Sequence, residues 1–307
     1  YFLKDQLKTK KQRRQDAERE AARKNEAPRY PTADELRAEE EEEAPAIVVT
    51  VTDSTGRVVR RLNGSATPGI QRITWDLREP AANLPGGGGP GGGGPGGGGG
   101  GGGAGGAAAE VSPFAQPGGP LVMPGTYKVS LAKRVDGVLT PFAGEQSFNV
   151  VVEGQAAMKA EDRAALHAFQ QKVLKLQRAV SGALDVANTT KTRLGLIKHA
   201  IQETPALDQK LRDQANALDA QLNAILRAVR GDVALRQRNE NTPPSISERV
   251  GGIAGDQRLS TARPTQTHMD SYSVAAQEFA QELAKLRALV ETDLVKLEKA
   301  LEAAGAP

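Results

Sequence analysis

The chain has 307 residues, which is enough for about two domains of ordinary size. Its formal net charge of +3 is too small to indicate a nucleic-acid-binding surface, and the lack of cysteine excludes disulfides, thiolate metal sites and a cysteine nucleophile. No apolar run reaches the roughly 18 residues that a spanning helix needs, so the sequence predicts no membrane span.

The first elements are a short strand and two charged helices. The apolar stretch YFLKD, at residues 1–5, predicts the strand. Residues 6–27 mix alanine with charges of alternating sign, which favours an exposed helix held by ion pairs four residues apart. A second helix follows PRYP, with Thr32 as its N-cap and Glu35 in the reciprocal capping position. We expect a charged hairpin inserted at about residues 8–44. Its end carries an acidic run, Glu39 to Glu43, which we interpret as a solvated face rather than a docking site.

From Ala46 onward, apolar and polar residues alternate, as in half-buried β-strands. Ile47, Val49 and Val51 share one face, and the turn DSTG leads into RVVRRL to make a hairpin. The stretches GIQRITWDL, PGTYKVSLAKRVDG and QSFNVVVE repeat the alternation. About six or seven such strands without helices between them predict an immunoglobulin-like β-sandwich over residues 1–153.

A glycine tract interrupts these strands and holds over half of the chain's 34 glycines. It lacks the strand, the helix and the Lys with Ser or Thr that a phosphate-binding loop needs. Polyglycine buries too little apolar surface to offset its conformational entropy, so we expect a disordered coil. The strands on either side are too few to close a sandwich alone. The tract, at about residues 81–119, is therefore predicted to be an insertion within one domain, at a closure cost of about 2 kcal/mol.

The remainder predicts helices, because apolar residues recur at three-four spacing. The first helix covers residues 160–202, falters at residues 188–190 where we expect a bend, and ends at Pro205. The second ends at Gly231, and the third begins near Met269. We expect an antiparallel three-helix bundle over residues 158–305, with residues 239–268 lying across one end.

Candidate chemistry is sparse. His167, His199 and His268 fall on different segments without zinc-ligand spacing, so we expect no metal and no cofactor. Asp53 and Asp76 are the candidates for the two catalytic carboxylates of a glycosidase, but turn-capping and strand-edge roles are favoured for both. The single tryptophan, Trp75, is interpreted as a core residue rather than a ligand platform.

The phrases YFLKD, VTVTDSTGRVVRRL, PGIQRITWDLREP and PGTYKVSLAKRVDG occur in this order, followed by RNENTPPSI and STARPTQTH. Together they resemble the C-terminal immunoglobulin-like module and helical tail of bacterial secreted proteins that carry a sortilin-like β-propeller upstream. Such proteins are often labelled glycosyl hydrolase or BNR-repeat proteins. Residues 75–78 and 124–127 match the family's Trp-Asp-Leu-Arg and Pro-Gly-Thr-Tyr motifs.

The resemblance implies a propeller before Tyr1, an export signal and a secreted or periplasmic location. It carries no catalytic residue into this chain, because the family's active or binding site is expected on the propeller. We therefore expect a noncatalytic region that braces the propeller and mediates protein contact or self-assembly. The alternative is a carbohydrate-binding or glycoside-hydrolase-associated module that uses Trp75. The candidate interaction or structural residues are Trp75, Asp76, Arg78, Tyr127, Tyr272 and Phe279.

Overall fold

The computed structural model describes residues 1–27, 29–82, 118–153, 158–204, 207–259 and 262–306. The chain divides into two compact units. The first, the β unit, contains Tyr1–Pro80 and the described residues 118–153. The second, the helical unit, contains Ala81, Ala82 and the described residues from 158 to 306. The predicted combination of antiparallel sheets and helices is confirmed. The predicted polyglycine coil lies outside the described residues.

The β unit is built on a four-stranded antiparallel sheet. Its strands are β1 (Phe2–Leu3), β2 (Ala46–Asp53), β3 (Val58–Gly64), β4 (Gly69–Ile70), β5 (Gly125–Val135) and β6 (Val138–Val150). The sheet has the order β3-β2-β5-β6, and β1 pairs separately with β4. Because β2 pairs with β5, strands encoded before and after residues 83–117 lie side by side in one sheet.

Burial in β2 follows the predicted alternation except at Val48, which is buried on the face of Thr50 and Thr52. Ile47, Val49 and Val51 are buried, whereas Thr50 and Thr52 on the opposite face are partly exposed. Leu3 of β1 packs with Ile47 and Val49, so the small β1–β4 pair covers this face of the larger sheet. One of the two apolar clusters of the β unit therefore lies between these two layers.

Residues 71–77 form no β-ladder, so the prediction that GIQRITWDL is a strand is wrong beyond Ile70. Leu77 adopts a φ of 57°, in the left-handed region, and its side chain is exposed. Asp76 Oδ1 accepts the Arg78 backbone N–H at 3.0 Å, which closes a local turn in place of a ladder. Trp75 nevertheless packs on the core, as predicted.

β6 begins eight residues before the predicted stretch QSFNVVVE. It contains Pro141, which marks loops in most sequences but is tolerated in an edge strand, where one side of the backbone has no ladder partner. Asp136 and Gly137 both have positive φ and join β5 to β6 as a two-residue turn.

The charged insertion forms two helices, α1 (Lys10–Arg23) and α2 (Ala33–Glu40). The predicted capping box is confirmed, because the Thr32 hydroxyl accepts from the Glu35 N–H and the Glu35 carboxylate accepts from the Thr32 N–H. Ion pairs four residues apart are also confirmed in α1, where Arg14 contacts Glu18.

The helical unit contains six helices among its described residues. They are α3 (Ala160–Glu203), α4 (Gln209–Arg230), α5 (Val233–Gln237), α6 (Ile246–Leu259), α7 (Gln266–Ala288) and α8 (Leu294–Ala303). A π-helical segment, Leu289–Asp293, joins α7 to α8. Gly231 caps α4 as predicted, with a φ of 93°, and Pro205 lies outside the described residues.

α3 is continuous through residues 188–190, where the apolar spacing falters. Thr189 and Thr190 donate their hydroxyls to the carbonyl oxygens of Asp185 and Val186, four residues earlier. The buried hydroxyl of Thr190 is thereby satisfied inside the helix. A threonine can thus occupy an inward position without interrupting the helical hydrogen bonds.

Residues 239–268 do not simply lie across one end, because α6 is part of the core. It packs against α3, α4 and α7 and buries Ile246, Val250 and Ile253. The core of the helical unit therefore has at least four packed helices rather than the predicted three. The three isoleucine and valine positions recur at helical spacing, but three glycines in the same segment weaken the helix prediction.

Candidate interaction site

The residues of the two quoted motifs meet in an aromatic cluster at one end of the β unit. The Trp75 ring lies edge-on to Tyr127, with centroids 5.9 Å apart, and edge-on to Phe148 at 6.2 Å. Tyr127 and Phe148 are cross-strand neighbours on β5 and β6 and stack at 6.0 Å. Edge-to-face and stacked rings at these distances attract beyond simple burial. The cluster thus fixes the segment around Trp75 to the sheet.

The polar atoms of this cluster bond to the nearby backbone. Trp75 Nε1–H donates to the carbonyl oxygen of Arg78 at 3.0 Å. The Tyr127 hydroxyl donates to the carbonyl oxygen of Met123 at 2.6 Å, and burial raises the pKa of this phenol. The indole and the phenol therefore act in positioning the chain, which agrees with the interpretation of Trp75 as a core residue.

A short antiparallel pairing, the clasp, joins residues 76–80 to residues 118–122. Its backbone bonds run from the Val122 N–H to the Leu77 carbonyl at 2.9 Å and from the Gly119 N–H to the Glu79 carbonyl at 2.8 Å. Arg78 adds a side-chain bond to the Gly119 carbonyl at 3.3 Å. A Cβ at Gly119 would lie 2.5 Å from the Pro80 carbonyl oxygen, so glycine permits this approach.

Acids and an arginine lie beside the aromatic cluster. Asp53 Oδ1 accepts the backbone N–H of Thr55 at 3.0 Å and that of Arg57 at 3.1 Å, and its Oδ2 accepts Arg57 Nε at 3.0 Å. Hydrogen bonds from Thr55 and Arg57 hold the pKa of Asp53 at about 2. Arg57 also reaches the buried Glu79 carboxylate at 3.5 Å. The predicted turn-capping role of Asp53 agrees with these contacts.

Sequence reasoning missed Glu79 and Arg57. Glu79 follows the Trp-Asp-Leu-Arg motif, where alternation suggests no special environment, and only the fold shows that it is 5% exposed. Arg57 belongs to a turn and reads as an ordinary surface residue. The separation of 22 positions between them leaves no signal in the sequence.

Exposed apolar side chains surround this end of the β unit and form what we call the apolar rim. They are Val58 at 45% exposure, Leu77 at 38%, Leu121 at 55% and Val151 at 77%. Leu121 lies opposite Arg78 in the clasp, and Val151 directly follows the residue of β6 that pairs with Gly125. Val58 begins one edge strand of the sheet and Val151 follows the other edge strand, so the rim extends across this end of the β unit. Exposed apolar groups with polar groups beside them are a feature of contact sites on proteins.

The other two candidate residues lie in the helical unit. Phe279 is 6% exposed in its core, and Tyr272 is partly buried against the same core. The Tyr272 ring lies edge-on to Phe169 of α3, with centroids 5.7 Å apart. Both residues pack α7 onto its neighbours. The six candidates are thus divided between the two units, and Asp76 and Arg78 are the members that lie in the clasp.

A small apolar cavity between α3, α4 and α7, bordered by Ala187, Val229 and Phe279, has room for about one water molecule. His199 lies 3.7 Å from Glu203, and His268 lies 3.6 Å from Asp256. Among the residues that the structure describes, no three His, Asp or Glu side chains come together as a metal site.

Comparisons with protein-family models, with curated proteins and with solved structures give no match to this chain. Within the described ranges, no helix combines the length and the apolar composition that a membrane crossing requires.

Proposed function

We propose that this chain is a noncatalytic interaction region, in which an immunoglobulin-like β unit holds a partner protein and a helical bundle adds a second contact surface. The partner that fits the sequence resemblance is a sortilin-like β-propeller encoded N-terminal to Tyr1 in a secreted or periplasmic bacterial protein. The observation that carries the proposal is the apolar rim, which exposes Val58, Leu77, Leu121 and Val151 at one end of the β unit.

The clasp and the aromatic cluster support an immunoglobulin-like module. The Tyr127 hydroxyl bonds to a carbonyl four residues upstream, which resembles the tyrosine corner of such sandwiches. The two motifs of the resemblance, residues 75–78 and 124–127, also contact each other through the rings of Trp75 and Tyr127. Both motifs therefore serve one local structure, as expected for residues that define a module.

The polar groups around Trp75 support a structural rather than a chemical role. Asp53 accepts hydrogen bonds from Thr55 and Arg57, and Asp76 accepts one from the Arg78 N–H. The Trp75 Nε1–H donates to the Arg78 carbonyl oxygen. A general acid needs a raised pKa, whereas that of Asp53 is lowered to about 2. These contacts favour the interaction region over the sugar-active alternative.

The helical unit supports a second surface, suited to self-assembly. α3 has 44 residues, and two of its apolar side chains face outward, Val186 at 47% and Leu196 at 67% exposure. A long helix with exposed apolar positions can bury a further helix or a second copy of the chain. Light scattering across a range of protein concentrations measures this association directly.

The central experiment substitutes the apolar rim. Leu121→Glu and Val151→Glu place charges where the proposal expects partner contact, so each should weaken binding to the separately expressed upstream propeller by at least about tenfold. Isothermal titration calorimetry on the full chain gives the dissociation constants. Circular dichroism verifies that the variants are folded.

Val138→Glu is the matched control, because Val138 is 63% exposed but begins β6 directly after the β5–β6 turn, at the other end of these strands. It should leave the affinity unchanged. Equal loss in all three variants, or no binding by the unsubstituted chain, would contradict the proposal.

Tryptophan fluorescence tests the sugar-binding alternative. Trp75 is the only tryptophan and packs against two rings, so we expect blue emission that polysaccharides leave unchanged. Red emission that shifts or is quenched on adding a polysaccharide would favour a carbohydrate-binding module instead.

A further inference from the structure

Neither helix of the α1–α2 hairpin buries an apolar side chain. Its largest apolar groups, Tyr30 and Leu36, are 87% and 42% exposed. Helices of 14 and 8 residues are marginal by themselves in water, and these two have no apolar face to bury. Their association must therefore come from polar contacts.

An arginine on α1 and a glutamate on α2 make the principal contact between the helices. Arg14 Nε donates to Glu39 Oε1 at 2.6 Å and Arg14 Nη2 donates to Glu39 Oε2 at 2.9 Å, which is the bidentate geometry of strong ion pairs. The Glu39 side chain is only 8% exposed. Hydrogen bonding to Arg14 also lowers the pKa of the Glu39 carboxyl. The interpretation of the acidic run as a solvated face is therefore wrong for Glu39.

A second acid of the run closes the base of the hairpin. Glu42 Oε2 accepts the backbone N–H of Lys10, the first residue of α1, at 2.5 Å, and Arg13 lies 3.8 Å from the other oxygen. The Glu42 side chain is 1% exposed. A carboxylate at this position also complements the positive end of the helix dipole. Glu42 is thus a second exception to the expected solvated face.

The hairpin also contacts the sheet through ion pairs. Lys10 Nζ lies 3.3 Å from Asp136 in the β5–β6 turn, and Arg134 of β5 lies 2.9 Å from Glu43. These pairs are partly exposed, so dissolved salt can weaken them. Ion pairs and hydrogen bonds therefore join the two helices to each other and the hairpin to β5 and its turn.

We propose that the α1–α2 hairpin is an ionic latch, which opens when salt screens its charges while the four-stranded sheet stays folded. The sheet does not depend on the latch for its core, because Ile47, Val49 and Val51 are buried against apolar neighbours. Opening exposes Glu39 and Glu42, the two acids of the run that the basic start of α1 covers. The latch is therefore a device that covers an acidic surface with a basic segment of the same chain.

Hydrogen exchange followed by mass spectrometry tests the latch on the full chain. Raising sodium chloride from about 0.1 M to about 1 M shortens the Debye length from roughly 10 Å to roughly 3 Å. Amides of α1 and α2 should then exchange at least about tenfold faster, while those of β2 and β5 keep their rates. Unchanged rates in the hairpin, or equal acceleration in the sheet, would overturn the proposal.

Substitutions at the latch give a second test that does not depend on salt. Glu39→Gln should raise the exchange rates of α1 and α2 already at about 0.1 M salt, where ion pairs are less screened. Glu20→Gln is the control, because Glu20 pairs with Lys24 on the same helix and spans no interface. The charge exchange Arg14→Glu with Glu39→Arg should restore protection relative to either single change. If Glu20→Gln loosens the hairpin as much as Glu39→Gln, the latch is excluded.

Discussion

At the scale of single residues, the β unit depends on side chains that complete the hydrogen bonding of turns. Asp53 shows this best, because one carboxylate accepts from the backbone and hydroxyl of Thr55 and from the backbone and guanidinium of Arg57. Its position at the head of the DSTG turn is visible in the sequence. Its connection through Arg57 to Glu79 depends on the clasp, and no local pattern reveals it.

We expect Asp53→Asn to lower the free energy of unfolding at neutral pH by about 1–2 kcal/mol, because charge-assisted hydrogen bonds are lost. The pKa of Asp53 in the folded chain is about 2, below its ordinary value of 3.8. The contribution is therefore fully present above pH 3.8 and is lost as the pH falls through about 2. Urea unfolding of both proteins at several pH values measures the difference.

The difference between the two proteins should be constant from pH 7 to about pH 4 and shrink below it. Asp34→Asn is the control. The Asp34 side chain is exposed on α2, and its ion pair is with Arg37, which is also exposed. A gap that stays the same at pH 2 would show that the substitution acts through something other than the carboxylate charge.

At the scale of whole elements, periodic patterns predicted the long helices and the central strands. The composition of other segments, such as α6, argued against the structure that they form. α6 carries Ile246, Val250 and Ile253 at core-facing spacing, but its glycines lower helix propensity. Tertiary packing overrides that propensity by burying all three side chains. The prediction of a strand at residues 71–77 was wrong for the opposite reason. The alternating pattern is present, but these residues form no ladder and Asp76 closes a turn instead.

Ile253→Ala should lower the free energy of unfolding of the helical unit by about 2–5 kcal/mol, because it leaves a cavity in the core. Ile253 is 3% exposed, whereas Val274 of α7 is 39% exposed. Val274→Ala should therefore change the stability by only about 0.5 kcal/mol. Chemical denaturation followed by circular dichroism at 222 nm compares the two, and similar effects would mean that α6 is not part of the core.

At the scale of the molecule, the division into a strand-rich and a helix-rich half was predictable because the apolar period changes from two to about 3.6. The order of the strands was not. The sequence shows which residues alternate, but the pairing of β2 with β5 depends on contacts across the glycine tract. The site was predictable only in part. Trp75 and Tyr127 belong to recognisable motifs, whereas the apolar rim depends on the clasp, which positions Leu77 and Leu121.

The expected disordered insertion at about residues 81–119 remains a prediction for residues 83–117, and it has a measurable consequence. Replacing them by a linker of about four residues should raise the free energy of unfolding of the β unit by about 2 kcal/mol, because a shorter loop costs less entropy to close. Trp75 fluorescence during urea unfolding reports on this unit selectively, since the helical unit has no tryptophan. No gain, or a loss, would indicate that the segment stabilises the β unit.

The pairing of β2 with β5 also determines when this protein can fold during its synthesis. Val49 and Val51 are translated before their neighbours Leu131 and Val129 on β5, which follow about 80 residues later. At ribosomal speeds of about 5–20 residues per second, the β2–β3 hairpin waits roughly 4–16 seconds for its partner. During that interval its apolar face has no β5 to pair with, so we expect slower elongation to increase aggregation of the nascent chain and chaperone binding to reduce it.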